Sequence, residues 1–259
     1  MTSGGGLDAS LRQALLAAAA AERLLVAVDF DGTLAPIVEI PSDARSLPGG
    51  LEILEQLAAL PETVVALVSG RARADLAKLA PVVAAVRLVG SHGAEIDDVV
   101  LSPDDAQRLV ALLAGVQLAV DGVAGVTLEN KPAGVAVHVR RAARDDAARV
   151  TESVLTGPAT TPGVHVTRGK EVVELSVLEA DKGTALERLR VDSRATCVVY
   201  LGDDITDEAA LSRLRDSDVG VKVGMAETAA AHRVEGPPDV VTVLRLLAEH
   251  RGTPADGAR

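Results

Sequence analysis

Three runs of almost uninterrupted apolar residues each end at a polar side chain. They cover residues 24–30 (LLVAVDF), 63–69 (TVVALVS) and 196–202 (TCVVYLG, followed by Asp203). An apolar run of this length without alternation is typical of a parallel strand whose two faces are both covered by helices. The sequence therefore predicts three buried strands whose polar tips lie together at one edge of a sheet.

Apolar residues spaced about 3.6 positions apart follow each of these strands and predict helices. The predicted helices cover residues 51–60, 73–79, 183–189, 208–214 and 240–250. Alternation of buried strands and helices indicates an α/β fold with a doubly wound, Rossmann-like parallel sheet. In such sheets ligands bind outside the carboxyl ends of the strands, where the polar tips are expected.

The middle of the chain has a different pattern, with short runs that alternate between apolar and polar residues. Residues 134–140 (GVAVHVR) and 171–177 (EVVELSV) are predicted strands with one wet face, and residues 144–155 between them form a predicted helix. We therefore predict an α+β cap domain at 97–178, inserted into a catalytic core formed by 1–96 and 179–259.

Composition and charge narrow the possible partners. The 259 residues carry a formal net charge of -11 without a cluster of Lys and Arg, which argues against a nucleic-acid surface. The Ala-rich segment 11–25 is too polar and too short to span a membrane, and the first residues do not resemble a signal peptide. Cys197 is the sole cysteine and suits a reducing cytoplasm.

The first candidate for chemistry is the pentad Asp29-Phe30-Asp31-Gly32-Thr33, placed where a buried strand stops. A carboxylate such as Asp29 can attack phosphorus and form an acyl phosphate, which divides one hard displacement into two easier ones. Asp31 can protonate the leaving oxygen and later deprotonate water, provided that its pKa is raised. Aspartates that only shape a turn and cap a helix are the alternative interpretation.

Two further motifs carry groups suited to a phosphate. Ser69-Gly70-Arg71 ends the second strand, and a hydroxyl with backbone N–H groups at a helix start can hold phosphate oxygens, although an ordinary N-cap has the same pattern. Lys182 opens a predicted helix and can balance the negative charge of Asp29 and a phosphoryl group. A solvated lysine is the alternative at that position.

A cluster of acids follows the third strand. Asp203, Asp204 and Asp207 place three carboxylates within five positions, which is a costly like-charge arrangement unless a cation neutralises it. Mg²⁺ favours such a set, with one or two carboxylates completed by water and substrate phosphate. A helix N-terminus stabilised by acids explains Asp207 in part, but not all three.

Together these motifs resemble the haloacid dehalogenase superfamily of aspartate-nucleophile phosphatases, in the branch whose cap lies between the second and third motifs. Within that branch the chain is similar to trehalose-6-phosphate phosphatases over about residues 24–250. The segments that carry the resemblance are 29–37 (DFDGTLAPI), 90–95 (GSHGAE), 129–131 (ENK), 169–175 (GKEVVEL) and 202–208 (GDDITDE). One departure is Phe30, where the family commonly has tyrosine.

The resemblance implies a role for each matching position. Asp29 would be the nucleophile, Asp31 the acid and base, and Lys182 would act on the transferring phosphoryl group. The implied metal ligands of Mg²⁺ are Asp29, the backbone carbonyl of Asp31 and Asp203, with Asp204 and Asp207 as additional or indirect ligands. The implied substrate contacts are Ser69, Gly70, Arg71, His92 and Glu95 in the core and Lys131, His138, Lys170 and Glu174 in the cap.

The expected substrate is a small sugar phosphate, best matched by trehalose 6-phosphate, and functional coupling to a trehalose-6-phosphate synthase is expected. Sucrose 6-phosphate, mannosyl-3-phosphoglycerate or a secondary-metabolite sugar phosphate stay open, because the cap alone separates them. A phosphomutase and a non-catalytic sugar-phosphate-binding protein are more remote alternatives. We also expect the cap to close over the site, since an aspartyl phosphate must be kept from bulk water.

Overall fold

The computed structural model describes residues 7–82, 84–169 and 171–252, and the chain divides into two compact units. The core unit consists of Met1–Ile96 and Asp181–Arg259, and the inserted unit of Asp97–Ala180.

The core unit is built on one parallel sheet. Its strands are β1 (Leu24–Val28), β2 (Thr63–Val68), β3 (Val86–Val89), β8 (Cys197–Gly202), β9 (Val219–Val223) and β10 (His232–Val234). The order across the sheet is β10-β9-β8-β1-β2-β3, and each neighbouring pair runs parallel. This arrangement confirms the predicted α/β core and places β1 and β8 side by side at its centre.

Helices cover both faces of this sheet. They are α1 (Ala9–Ala19), α2 (Gly50–Ala58), α3 (Arg73–Leu79), α6 (Lys182–Ser193), α7 (Glu208–Leu211) and α8 (Pro237–Arg251). Side chains of β1 alternate between the two layers: Leu24 and Val26 pack with α1, α2 and α8, whereas Leu25 and Ala27 pack with α6 and α7. Burial on both faces explains why the strand is apolar throughout.

The inserted unit pairs an antiparallel sheet with two helices. Its elements are α4 (Pro103–Val120), β4 (Thr127–Lys131), β5 (Gly134–His138), α5 (Arg144–Thr156), β6 (His165–Gly169) and β7 (Val172–Ser176). The strand order is β4-β5-β7-β6, and every pair is antiparallel. Val137 and Val173 pack on the helices with Val116 and Val150, so strand residues of the opposite parity face away from this core.

Across the described ranges, no helix combines the length and the apolar character needed to cross a membrane.

Candidate active site

The two central strands bring their terminal acids together. Val28 and Leu201 are paired across β1 and β8, and the N–H of Asp29 donates to the carbonyl of Leu201 at 2.9 Å. Asp29 therefore continues β1 beside the end of β8, and Asp203 follows one residue after β8. This shared edge explains how acids that are 174 positions apart meet.

A tight turn after β1 allows the close approach of Asp203. Gly32 has a φ of +83°, a conformation that favours glycine. A Cβ on Gly32 would overlap the carboxylate of Asp203, and the hydroxyl of Thr33 donates to that carboxylate at 3.3 Å. Gly32 is thus required both for the turn and for the space that Asp203 occupies.

Carboxylate oxygens of Asp29, Asp203 and Asp207 lie within 4.8 Å of one another. Burial raises the pKa of Asp29 well above its usual value, and Asp207 and Asp203 add to that rise while Lys182 opposes it. Burial, followed by the charge of Asp207, raises the pKa of Asp203 to about 6. Burial is the larger cause of both shifts, and the neighbouring carboxylates add to it.

Lys182 lies inside this cluster at the first turn of α6. Its ammonium donates to Oδ1 of Asp29 at 2.7 Å and to Oδ1 of Asp207 at 2.8 Å, and its side chain is 3% exposed. Burial alone would lower the pKa of Lys182, but Asp207 and Asp29 outweigh it and raise the pKa. The lysine therefore stays charged next to the proposed nucleophile.

Tyr200 is a further member of the site, from inside strand β8. It is fully buried, and its hydroxyl donates to Oδ1 of Asp207 at 2.7 Å. The backbone N–H of Asp204 donates to Oδ2 of Asp207 at 2.9 Å. Burial alone would raise the pKa of Asp207, but Lys182 and these donors lower it.

The chemistry of these donors fits a divalent cation. The three clustered carboxylates share one ammonium, because Lys182 donates to both Asp29 and Asp207, so the ionised cluster keeps a net negative charge. Oxygen ligands from one or two carboxylates are what Mg²⁺ usually takes from a protein. Asp204 is exposed and lies outside the cluster of three, so any part it plays in metal binding is indirect in this arrangement.

Asp31 and Arg71 form an ion pair beside the cluster. The guanidinium of Arg71 donates from Nε and Nη2 to the two carboxylate oxygens of Asp31 at 2.6 and 2.7 Å. These bonds join the tip of β2 to the tip of β1, and the N–H of Arg71 also donates to Oγ of Ser69 at 3.2 Å. The predicted acid and the predicted phosphate-binding residues are thus in direct contact.

The loop after β3 contacts the segment that follows β2. A Cβ on Gly70 would meet the ring of His92, so the glycine allows the imidazole to approach closely. Glu95 is buried and accepts from Oγ of Ser91 at 2.6 Å and from the N–H of Arg73 at 3.2 Å. Glu95 therefore organises the loop, and it makes these bonds within the core unit.

The inserted unit carries a separate group of charged side chains on the sheet face opposite its helices. Lys131 donates to Glu174 at 2.6 Å, and His138 lies 3.0 Å from Glu129. Burial would raise the pKa of Glu129, but the hydrogen bond from His138 and the charge of Lys131 lower it. Lys170, also predicted as a sugar contact, lies outside the described residues.

Comparison with known proteins identifies the family of the chain. A family model described as Trehalose-phosphatase matches residues 27–237. The chain belongs to the trehalose-phosphatase family. The trehalose-phosphate phosphatase of Mycolicibacterium paratuberculosis is 38% identical to this family member over 242 residues, covering 85% of this chain and 61% of the relative. The Mycobacterium leprae trehalose-phosphate phosphatase is 37% identical, covering 85% and 56%.

Solved structures agree on the fold of this trehalose-phosphatase family member. The C-terminal domain of C. albicans trehalose-6-phosphate phosphatase has a TM-score of 0.76 at 23% identity, covering 92% of this chain and 97% of that domain. Aspergillus fumigatus trehalose-6-phosphate phosphatase has a TM-score of 0.64 at 26% identity, covering 95% and 99%. Against the curated relatives above, the chain spans between 56% and 61% of their length.

Two residues of these groups were missed by the sequence analysis. Tyr200 was counted as an apolar strand residue, and Glu129 was noted as part of a motif without a role. For Tyr200 a signal was present, because a phenol in an aliphatic buried run needs a partner for its hydroxyl. For Glu129 the signal was its parity with Lys131, which puts both on one face of a strand.

Proposed function

We propose that this chain is a Mg²⁺-dependent phosphatase that hydrolyses trehalose 6-phosphate to trehalose and phosphate through an aspartyl-phosphate intermediate. The observation that carries the proposal is the buried contact of Asp29 with Lys182 at 2.7 Å, beside Asp203 at the carboxyl edge of the sheet. Membership of the trehalose-phosphatase family and relatives named trehalose-phosphate phosphatases support the substrate.

In the first step a carboxylate oxygen of Asp29 attacks phosphorus, and the bond from phosphorus to the sugar oxygen breaks. Asp31 gives a proton to that oxygen. In the second step Asp31 takes a proton from water, which attacks the phosphorus of the aspartyl phosphate and releases phosphate and free Asp29. Each residue ends in its starting protonation state, so the cycle closes.

Positive groups at the site would hold the phosphoryl oxygens during both steps. We assign this task to Lys182, Arg71 and the hydroxyl of Ser69. Lys182 donates to Asp29, Arg71 donates to Asp31, and Ser69 accepts from the N–H of Arg71. Asp203 and Asp29 would hold the cation, with the carbonyl of Asp31 and, indirectly, Asp204 and Asp207. The cation supplies charge neutralisation for the developing transition state.

The contact between Arg71 and Asp31 bears on the proton transfer. In the resting chain both oxygens of Asp31 accept bonds from Arg71. An incoming phosphoryl group competes for the same guanidinium, because Arg binds phosphate oxygens through two donors. Substrate binding would thereby free Asp31 to carry the proton.

We further propose that residues 97–178 act as a cap that selects the sugar. Support comes from the charged face of the inserted sheet, where Lys131, His138, Glu129 and Glu174 present donors and acceptors suited to hydroxyl groups. We extend the same role to Lys170. A site built from such hydrogen bonds rejects ligands that lack the matching hydroxyls by large factors.

Coupling to a trehalose-6-phosphate synthase and a cytoplasmic location are part of the same proposal. The single cysteine, Cys197, is buried and makes no disulfide, which suits a reducing compartment.

The decisive experiment compares phosphate release from trehalose 6-phosphate, glucose 6-phosphate and sucrose 6-phosphate with Mg²⁺ or with a chelator. Wild type should favour trehalose 6-phosphate and should need the cation. Asp29→Asn should lose at least about a thousandfold in kcat, because loss of a covalent nucleophile removes most of the catalysis. Asp75→Asn, on the exposed surface of α3, is the matched control and should keep full activity.

Each alternative has its own signature in this assay. Selective release from another sugar phosphate would keep the chemistry and replace the proposed substrate. Conversion of a substrate into an isomeric phosphate without release would indicate a phosphomutase. Binding without any turnover on the whole panel would contradict the enzyme proposal.

A further inference from the structure

Lys222 is a buried charge in a strand that is otherwise apolar. It is the fourth residue of β9 (VGVKV), next to β8, and 1% of it is exposed. Its ammonium donates to the backbone carbonyl of Asp204 at 3.2 Å and to Oε1 of Glu208 at 2.9 Å. Neither acceptor is one of the three clustered carboxylates of Asp29, Asp203 and Asp207.

Stability alone does not account for such a residue. Moving an ammonium out of water is costly, and a buried ion pair is often no more stabilising than apolar side chains of similar volume. The other residues of β9 are apolar or glycine and fully buried, so an aliphatic side chain is compatible with this layer. The charge at position 222 is therefore best explained by the two groups to which Lys222 donates, the carbonyl of Asp204 and the carboxylate of Glu208.

Lys222 holds the segment 203–208, which carries Asp203 and Asp207. The carbonyl of Asp204 accepts from Lys222, and the N–H of the same residue donates to Oδ2 of Asp207 at 2.9 Å. The backbone of Asp204 is thus bonded through both its C=O and its N–H, and the main chain next to Asp203 cannot shift without breaking one of these bonds.

Glu208 extends the contact to the loop that follows β9. Its Oε2 accepts from the N–H of Ala229 at 2.9 Å and from Oγ1 of Thr228 at 3.2 Å. That loop is braced in turn by Arg233, which donates to the carbonyls of Gly224 and Ala226. Lys222 and Glu208 therefore tie the acidic segment to a supported part of the core unit.

We propose that Lys222 is a positioning residue for the metal site: through Asp204 and Glu208 it holds segment 203–208 in the cation-binding arrangement before the cation arrives. This inference rests on the proposed Mg²⁺-dependent function. Without Lys222 the segment must be ordered at the expense of binding free energy, so cation affinity should fall while the chemistry at a saturated site changes little.

The test is a Mg²⁺ titration of wild type and Lys222→Met, read in two ways. Activity gives the half-saturating Mg²⁺ concentration, and calorimetry with Tyr200 emission gives binding to the substrate-free protein. Tyrosine emission reports Tyr200 alone, because the chain has one tyrosine and no tryptophan. We expect about 10 to 100-fold weaker Mg²⁺ binding in both readouts, the usual cost of losing a partner of a metal ligand.

At saturating Mg²⁺ the kcat of Lys222→Met should return to within about threefold of wild type, with an unchanged KM for the sugar phosphate. Arg190→Met is the matched control, since Arg190 is also a buried cation, 4% exposed and 2.6 Å from Asp218. It should lower the Tm without changing Mg²⁺ affinity. If Lys222→Met does not fold, Glu208→Gln and Thr228→Val replace it in the titration. Each should weaken Mg²⁺ binding by a smaller factor than is expected for Lys222→Met.

Unchanged Mg²⁺ affinity in a folded Lys222→Met, or in both Glu208→Gln and Thr228→Val, would overturn the inference. A loss of kcat that excess Mg²⁺ does not restore would also contradict it. Wild type that neither binds Mg²⁺ nor needs it would instead remove the metal dependence from the proposed function.

Discussion

Asp29 and Asp207 are neighbouring buried carboxyl groups whose pKa values move in opposite directions. At Asp29 burial dominates and raises the pKa, whereas at Asp207 the bonds from Lys182, Tyr200 and the N–H of Asp204 outweigh burial and lower it. The number and charge of the donors decide the sign. Asp207 therefore stays ionised and holds Lys182, whereas Asp29 has Lys182 as its one cationic partner in the cluster.

A residue-scale prediction concerns the charged face of the inserted sheet. Glu174→Gln removes the carboxylate that Lys131 contacts at 2.6 Å. We expect the KM for trehalose 6-phosphate to rise about 10 to 100-fold, the equivalent of one charged hydrogen bond. Turnover of p-nitrophenyl phosphate, which has no sugar, should be unchanged.

Glu171→Gln is the control for this prediction, because Glu171 is exposed and pairs with Arg140 at 3.0 Å. It should leave both substrates unaffected. An equal rise of KM for both substrates in Glu174→Gln would mean that the residue supports the fold of the unit rather than sugar binding.

Acids at the ends of apolar runs could be found from the sequence, because a polar residue closing a buried parallel strand lies at the ligand-binding edge. Tyr200 and Lys222 could not be assigned in the same way, since their partners lie on turns whose path depends on the tertiary structure. Lys222 nevertheless left a trace, as the sole charge in an apolar run.

At the scale of elements, the turn after β1 has a prediction with an internal control. Gly32→Ala adds a Cβ where Asp203 lies, at a φ of +83°. The left-handed conformation itself costs about 1–2 kcal/mol for alanine. Displacement of Asp203 should add about a 100-fold loss of kcat, the usual result of moving a group in the site by about 1 Å.

Gly49→Ala separates these two effects, because Gly49 has the same φ of +83° and a methyl group added there would have nothing within 4 Å. It should lose stability, measured by urea unfolding, and keep its kcat. If both variants lose activity to the same degree, the contact with Asp203 does not matter for catalysis.

Elements with one dominant pattern were predicted well, and those with mixed patterns were missed. The strands β1, β2 and β8 and the helices α2, α3, α5, α6 and α8 lie where the sequence predicted them. Helix α7 ends at Leu211, short of the predicted residue 214. Helix α4 was missed, and its exposed Val110 and Leu118 blur the apolar period that would have shown it.

For the whole molecule, the acidic cluster should set how stability depends on pH in the metal-free state. Asp203 has a pKa of about 6 in the folded chain against an ordinary value of 3.8. Its contribution to the free energy of unfolding is therefore full below pH 3.8 and is lost as the pH rises through 6. Asp29 acts in the same direction. With chelator present, we expect the Tm to fall by about 5 °C between pH 4.5 and 7.5.

Asp207 has the opposite sign, since its lowered pKa contributes stability that is lost only on acidification below its ordinary value. Added Mg²⁺ should reverse most of the fall in Tm at neutral pH, because it neutralises the charges of Asp203 and Asp29. Asp203→Asn should flatten the metal-free profile and weaken the response to Mg²⁺. A metal-free Tm that rises between pH 4.5 and 7.5 in wild type and in Asp203→Asn alike would show that other groups control stability.

The position of Cys197 makes the native chain convenient for labelling studies. The thiol is buried at the start of β8, and burial raises its pKa to about 11, so thiolate is scarce near neutral pH. Maleimide dyes react with thiolate and will therefore bypass it. A cysteine introduced on the surface of each unit then carries a donor and an acceptor dye in an otherwise native protein, and energy transfer between them follows the two units during turnover.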